Sequence, residues 1–305
     1  MISRAILEDP KCTPTDSALD IPDLAQLPLE EVHERFVKKG RPFVMRGAAR
    51  DWQCASSWTI RSINARYGDL PVHLVDDHVA NDDSIGNVVS LSQVIDSFTT
   101  SRPLYARFVP IIHRDPAILN ELNMGFCEAV ATGSRGFSLW GSQGAGRKLR
   151  SHFFVGSAGQ TTRLHCELTG NLFINVVGQK RWRIYSAEFN PCLYSPVNRG
   201  PGVFGSPIDP NAIDCEAYPL ARYAKGYDVT LEPGDVLHVP PFYWHHVDTL
   251  TDSISLGLRW YDFQVANRVS SFQNLLSMIA TNPPMLKALK KPLEYGETHS
   301  NKRKK

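Results

Sequence analysis

The sequence predicts a mainly β protein with flanking helices, built as a small barrel or a double-sheet jelly roll. Three observations point there. Residues 161–185 and 227–261 break into short strands separated by turn signals. Helical periodicity is confined to the segments before and after them. Repeating βαβ units, which would signal a doubly wound sheet, are absent. The chain has 305 residues, 42% of them hydrophobic and 21% charged, which suits a globular protein with a sizeable core. Its formal net charge of +2 is too small to imply a nucleic-acid partner. Four parts are expected: a flexible arm over 1–20, the main domain over 21–262, a helical extension over 263–295 and a basic tail over 296–305.

The N-terminal segment MISRAILEDPKC lacks the apolar run of a signal peptide. Pro28 opens a helix in which Leu29, Val32 and Phe36 recur at helical spacing, with Gly40 at its end. RPFVMRGA (41–48) reads as a strand ending at Gly47. Trp52 and Trp58 read as packing residues. LPVHLVDD (70–77) is a further strand, and Ser90 caps a helix carrying Leu91, Val94, Ile95 and Phe98. Residues 103–113 read as β, with Tyr105 a half-buried sheet tyrosine, and 114–134 as helix. The glycine-rich GSQGAGRK lacks the spacing of a phosphate loop and reads as a surface loop bordering the site. Residues 186–226 form an irregular insert rich in Pro, Gly, Asn and Asp. Beyond the β section, Val265, Val269, Phe272, Leu276 and Ile279 form an apolar helical stripe, fit either to pair two copies or to cap the barrel.

The six cysteines form no CxxC, which argues against a disulfide framework or a zinc ribbon and makes a reducing, cytoplasmic setting the default, or a nuclear one in a eukaryote. No run of 18 apolar residues exists, so no membrane partner is expected.

The chemistry centres on TTRLHCELTGNLFINVVGQKRWRIY (161–185). In a strand, His165 and Glu167 point to one face and can hold one metal ion. Past a Gly178-Gln179 turn, Lys180 shares its face with Trp182 and Ile184. A buried lysine there calls for an anion, because an unpaired buried charge is costly. A third ligand from a distant strand would complete the two-histidine, one-carboxylate set that suits Fe(II) and leaves open coordination positions. His238, His245 and His246 are the candidates, and strand alternation admits only one of His245 and His246 to the interior.

LHCELTGNLFINVVGQKRWRIY followed by LEPGDVLHVPPFYWHHV resembles the JmjC family of 2-oxoglutarate-dependent oxygenases, whose fold is the cupin-type jelly roll called the double-stranded β-helix. The likeness is to the small hydroxylase branch that includes the asparaginyl hydroxylase of hypoxia-inducible factor. KKGRPFVMRGAARDW (38–52) is similar to the family's lead-in. The resemblance implies Fe(II) ligands at His165, Glu167 and His245. It implies 2-oxoglutarate contacts at Lys180, Thr162, Tyr105 and Asn171. Glu167 stands where the hydroxylase branch has Asp, and SLGLRWY replaces a strand that often reads SVNFWW, so a polar contact near Gly257 is missing.

The implied reaction is hydroxylation coupled to conversion of 2-oxoglutarate to succinate and carbon dioxide. A protein or peptide side chain is the expected substrate. A small molecule is the alternative, a tRNA base a weaker one, and a metal-binding cupin without catalysis the reading from another class. The sequence contains no reader domain and no Cys/His zinc module, which argues against histone demethylation.

Overall fold

The computed structural model describes residues 19–74, 88–133, 137–139, 147–195 and 203–279. Most of the N-terminal arm, the glycine-rich loop from 140 to 146 and the basic tail lie outside the described residues. In chain order the strands are β1 (Phe43–Met45), β2 (Pro71–His73), β3 (Val88–Ser90), β4 (Ala106–Val109), β5 (Phe137–Leu139), β6 (Arg147–Gly156) and β7 (Thr161–Glu167). They continue as β8 (Gly170–Val177), β9 (Lys180–Tyr185), β10 (Val203–Gly205), β11 (Gly226–Leu231), β12 (Val236–Val239), β13 (Trp244–Thr249) and β14 (Ser253–Trp260).

Two sheets face each other. One has seven strands in the order β1-β12-β8-β14-β6-β4, with β5 beside β6; the other has five, in the order β10-β7-β13-β9-β11. Apart from the parallel β5–β6 pair, the ladders within the two sheets are antiparallel. This is the double-sheet jelly roll of a cupin. The period of two sorts the side chains. Phe173 on β8, Trp182 and Ile184 on β9, Leu237 and Val239 on β12 and Val247 on β13 pack together between the sheets. Leu172, Ile174, Leu256, Leu258 and Trp260 turn outward from the seven-stranded sheet and meet the N-terminal helices. Leu164, Cys166, Tyr185 and Trp244 turn outward from the five-stranded sheet.

Turn chemistry sets the register. Gly178 has φ 75°, and a Cβ there would lie 2.1 Å from the Asp252 carbonyl oxygen, so only glycine closes the β8–β9 hairpin. In the Glu232–Asp235 turn, buried Asp235 accepts from the backbone N–H of Glu232 at 3.0 Å and of Gly47 at 2.8 Å. Arg46 pairs with the same carboxylate at 2.6 Å. One aspartate thus ties the β11–β12 turn to the end of β1.

Several expectations need correction. The helix after Pro28 is α-helical over Leu29–Val32 and π-helical over His33–Val37. Pro110 ends β4, and Ile111–Arg114 is a single helical turn rather than strand. Residues 114–134 divide at Leu122 into a 3-10 helix, Pro116–Glu121, and an α-helix, Met124–Thr132, because Asn123 caps anew through Phe126 N–H. The insert contains β10, which pairs with β7 through Val203–Glu167 and Gly205–His165. Cys54, Cys127, Cys166 and Cys192 are free and buried, whereas Cys215 is disulfide-bonded, which the scattered spacing gave no means of foreseeing.

The C-terminal helix, Phe263–Ile279, covers the outer face of the five-stranded sheet. Ala266 and Val269 pack there with Leu164 and Trp244. Ser270 has φ −156° and ψ 96° and breaks the helix, which resets its phase. The uniform apolar stripe therefore fails: Phe272 is 66% exposed, while Gln273 and Asn274 are buried. Gln273 Nε2 donates to Asn190 Oδ1 at 3.4 Å, and the Tyr261 hydroxyl donates to Asn274 Oδ1 at 2.9 Å. No helix among the described residues is long and apolar enough to cross a membrane.

Candidate metal centre

β7 and β13 lie side by side, and His165 sits directly opposite His245. Glu167 follows His165 on the same face. One nitrogen from each histidine and one carboxylate oxygen all lie within 4.8 Å of one another. The imidazoles are oriented for ligation. His165 Nδ1 faces the Arg163 carbonyl at 2.8 Å and His245 Nδ1 faces the Tyr243 carbonyl at 3.1 Å. A carbonyl only accepts, so each Nδ1 carries the proton and each Nε2 keeps its lone pair for a metal. Trp182 stacks on the His245 ring at 5.5 Å and holds its plane. Burial, then the neighbouring His165, push His245 down to about 3, so its imidazole is neutral at ordinary pH. Burial alone would raise the Glu167 carboxyl, but the Arg259 guanidinium outweighs it and holds it well below the usual range. Two imidazoles and one carboxylate suit a borderline divalent transition metal.

An irregularity in β7 sets what else reaches this cavity. Between the pairs His245–His165 and Val247–Thr162, β13 advances two residues while β7 advances three. This β-bulge turns Thr162 onto the same face as His165, although simple alternation would oppose them. Thr162 shares a hydrogen bond of 2.8 Å with the Tyr105 hydroxyl. Tyr105, Phe154, Thr162, His165, Lys180, Trp182, His245 and Arg259 line one cavity between the sheets. Lys180 is 2% exposed and donates to Thr249 Oγ1 at 2.8 Å. Among the described residues no carboxylate pairs with it, and burial pushes its ammonium down to about 7.

The other histidine candidates lie elsewhere. His238, on the outward face of β12, stacks between Phe43 at 4.9 Å and Trp260 at 5.9 Å. His246 faces out of the cavity, and its Nε2 lies 3.0 Å from Asp248 Oδ1 and 3.1 Å from Asn211 Nδ2. Burial lowers both histidines, His238 to about 4. Asn171 pairs in register with Arg259 across β8 and β14. Sequence reasoning passed over Arg259, whose Nη1 lies 2.7 Å from Glu167 Oε1. Its signal was present: in SISLGLRWY, Leu256, Leu258 and Trp260 alternate with Gly257 and Arg259, so one face is wholly apolar and the arginine belongs to the other.

This fold and this cluster define the class. The chain belongs to the cupin-like domain family, whose model matches residues 28–267, and within it to the JmjC cupins. It is 26% identical over 242 residues to the Arabidopsis thaliana protein named Lysine-specific demethylase JMJ30, across 77% of this chain and 53% of the relative. It is 31% identical over 159 residues to HSPB1-associated protein 1 of Bos taurus, across 48% of this chain and 32% of the relative. It is 34% identical over 110 residues to tRNA wybutosine-synthesizing protein 5 of Gallus gallus, across 36% and 33%. The chain thus spans about half the length of the first of these relatives and about a third of the other two.

Proposed function

We propose that this protein is an Fe(II)- and 2-oxoglutarate-dependent dioxygenase that hydroxylates a protein or peptide side chain. One observation carries the reading: the His165, Glu167 and His245 cluster and the buried, carboxylate-free ammonium of Lys180 share one cavity. A metal centre beside an anion site of this kind fits a chelating keto acid with a distant carboxylate.

In this reading the three ligand residues would hold one Fe(II), which supplies the oxidation that turns 2-oxoglutarate and oxygen into succinate, carbon dioxide and a hydroxylated substrate. The chain's own groups set the geometry. The carbonyls of Arg163 and Tyr243 fix the imidazole tautomers. Arg259 keeps Glu167 ionised. Lys180 supplies the charge for the distant carboxylate, with Thr249 already at its ammonium and the Tyr105–Thr162 pair on the same cavity wall. Binding that carboxylate returns Lys180 to its charged state. Trp182 and Phe154 supply apolar wall to the same cavity.

The relatives named for a lysine-specific demethylase and for association with HSPB1 favour a protein substrate. The relative named for tRNA wybutosine synthesis keeps a nucleoside or other small-molecule substrate as the second reading. The test is succinate formation from 2-oxoglutarate by purified protein with Fe(II) and ascorbate, followed by mass spectrometry of an exposed cell lysate for added oxygen. Succinate with oxygen added to peptides supports the proposal. Oxygen added to RNA or metabolites alone selects the second reading. Absence of succinate leaves a binding cupin.

A further inference from the structure

The two open sides of the sandwich differ. On one side, residues 19–24 run between the facing sheet edges. Leu19 N–H donates to the Gly226 carbonyl at the edge of β11, and Leu24 N–H donates to the Val44 carbonyl on β1. Ile21, between them, packs against the core between the sheets. That side is sealed by the chain itself. The five-stranded sheet ends on the other side at β10. β10 lies next to β7, the strand of His165 and Glu167, whose side chains remain 17% and 11% exposed.

The main chain of β10 has an unused edge. In an antiparallel ladder, successive residues turn their N–H and C=O groups alternately to one side and the other. Ser206 N–H donates to the Leu164 carbonyl of β7 at 3.0 Å. Ser206 and Phe204 therefore face β7, and Val203 and Gly205 turn their main-chain groups to the outer edge. Among the described residues no strand pairs with that edge. Such an edge is a template for a further strand. The side chains follow the same alternation. Phe204 turns out of the sandwich and meets Phe242, their ring centres 6.3 Å apart. Val203 and Gly205, opposite Glu167 and His165, therefore share the face of the metal centre. Val203 is 41% exposed, and Gly205 puts no side chain between the edge and His165.

We propose that the substrate is an extended peptide segment that pairs with β10 as a further strand of the five-stranded sheet. The inference rests on the function proposed above and specifies how its substrate binds. The edge offers N–H and C=O groups at every second residue, roughly 7 Å apart, a repeat that a peptide main chain matches and a nucleic acid does not. The chain already uses such pairing at the opposite edge of the same sheet, where Leu19 bridges to Tyr227. A substrate residue directly across from Gly205 points to the same face as His165. Its main chain lies two strand spacings, roughly 10 Å, from β7, so a long side chain, of the length of lysine or arginine, reaches toward the metal position.

The test uses the purified protein with Fe(II), 2-oxoglutarate and ascorbate. The probes are short synthetic peptides without stable structure, with each residue type in turn at the centre. Peptide-dependent succinate formation and added oxygen identify the best peptide. Its main chain is then N-methylated one position at a time, which removes one N–H and leaves every side chain intact. Methylation at alternate residues is expected to raise KM by about three- to ten-fold, and at the intervening residues by less than about two-fold. Val203→Pro removes an outward N–H that the β7 ladder does not use. Its KM for the peptide is expected to exceed that of Val203→Ala, which keeps the N–H, by about three- to ten-fold, with a smaller change in kcat. The methylation series carries the test if the proline variant does not melt cooperatively. A methylation profile without a period of two, or equal KM in the folded proline and alanine variants, overturns the inference. So does a parent protein that adds oxygen to RNA, metabolites or folded proteins but to no peptide. A parent protein that forms no succinate with or without peptide would instead refute the proposed function itself.

Discussion

Replacing Lys180 with methionine should stabilise the ligand-free protein while weakening its response to 2-oxoglutarate. The ammonium is buried, hydrogen-bonds Thr249 and is pushed by burial from 10.5 down to about 7. At about 1.4 kcal/mol per unit, that drop corresponds to a cost of about 4 kcal/mol in the ligand-free fold at neutral pH. Methionine has a similar length and no charge, and it forgoes the hydrogen bond to Thr249, worth about 1 kcal/mol. The expected net gain is about 2–4 kcal/mol. The sign of the pH dependence follows from linkage. Between pH 7 and 10.5 the unfolded chain binds the Lys180 proton and the folded chain does not, so stability rises with pH across that window. Above 10.5 both states are neutral and the penalty is gone; below 7 it is fully present. Urea denaturation at several pH values would compare the two proteins. The parent should gain stability from pH 7 to 10 relative to Lys180→Met, and adding 2-oxoglutarate to Mn(II)-loaded protein should raise the stability of the parent more than that of the variant. Parallel curves for the two proteins across the window would refute the idea that Lys180 waits uncompensated for an anion.

Other perturbations separate the roles of neighbouring groups. Gly257→Ala presses a methyl toward Asn171 Oδ1 at 3.0 Å and Phe154 at 3.5 Å. It should cost about 1–3 kcal/mol of stability by overpacking, read by urea denaturation; an unchanged midpoint would mean that these neighbours give way without strain. Thr162→Val removes the hydroxyl that bonds Tyr105, so the apparent KM for 2-oxoglutarate should rise while metal content stays constant, and a lost metal would contradict the assignment. His246→Ala removes a buried ring that bonds Asp248 and Asn211. It should lower stability by about 1–3 kcal/mol in denaturation without lowering succinate formation per folded molecule.

The sequence carried the centre of the fold because its periodicity and its turns agree. Gly178 can close only one tight hairpin, and the alternation of Lys180, Trp182 and Ile184 with Arg181, Arg183 and Tyr185 sets the inner face of β9. The same period put His165 and Glu167 together. It could not choose among the remaining histidines, because His238 and His245 both lie on strands with plausible inward faces. The choice depends on which strand pairs with β7, a long-range fact: β13 does, and β12 belongs to the other sheet. The extra β7 residue between Thr162 and His165 leaves no local mark either, since a bulge is fixed by the partner strand. β10 escaped notice because three residues amid proline and glycine carry no pattern. The C-terminal stripe failed at Ser270, where a broken turn moves Phe272 from the seam to the surface.

Metal stoichiometry tests the central claim most directly. Parent protein and single variants would be equilibrated anaerobically with Fe(II), freed of excess metal and measured by elemental analysis. His165→Ala, Glu167→Ala and His245→Ala should each lose tight iron binding and remain folded. His238→Ala and His246→Ala should retain the parent's one iron per chain, because their rings lie outside the cavity. Full iron in any of the first three, or iron lost only from the His238 or His246 variant, would contradict a metal centre built from His165, Glu167 and His245.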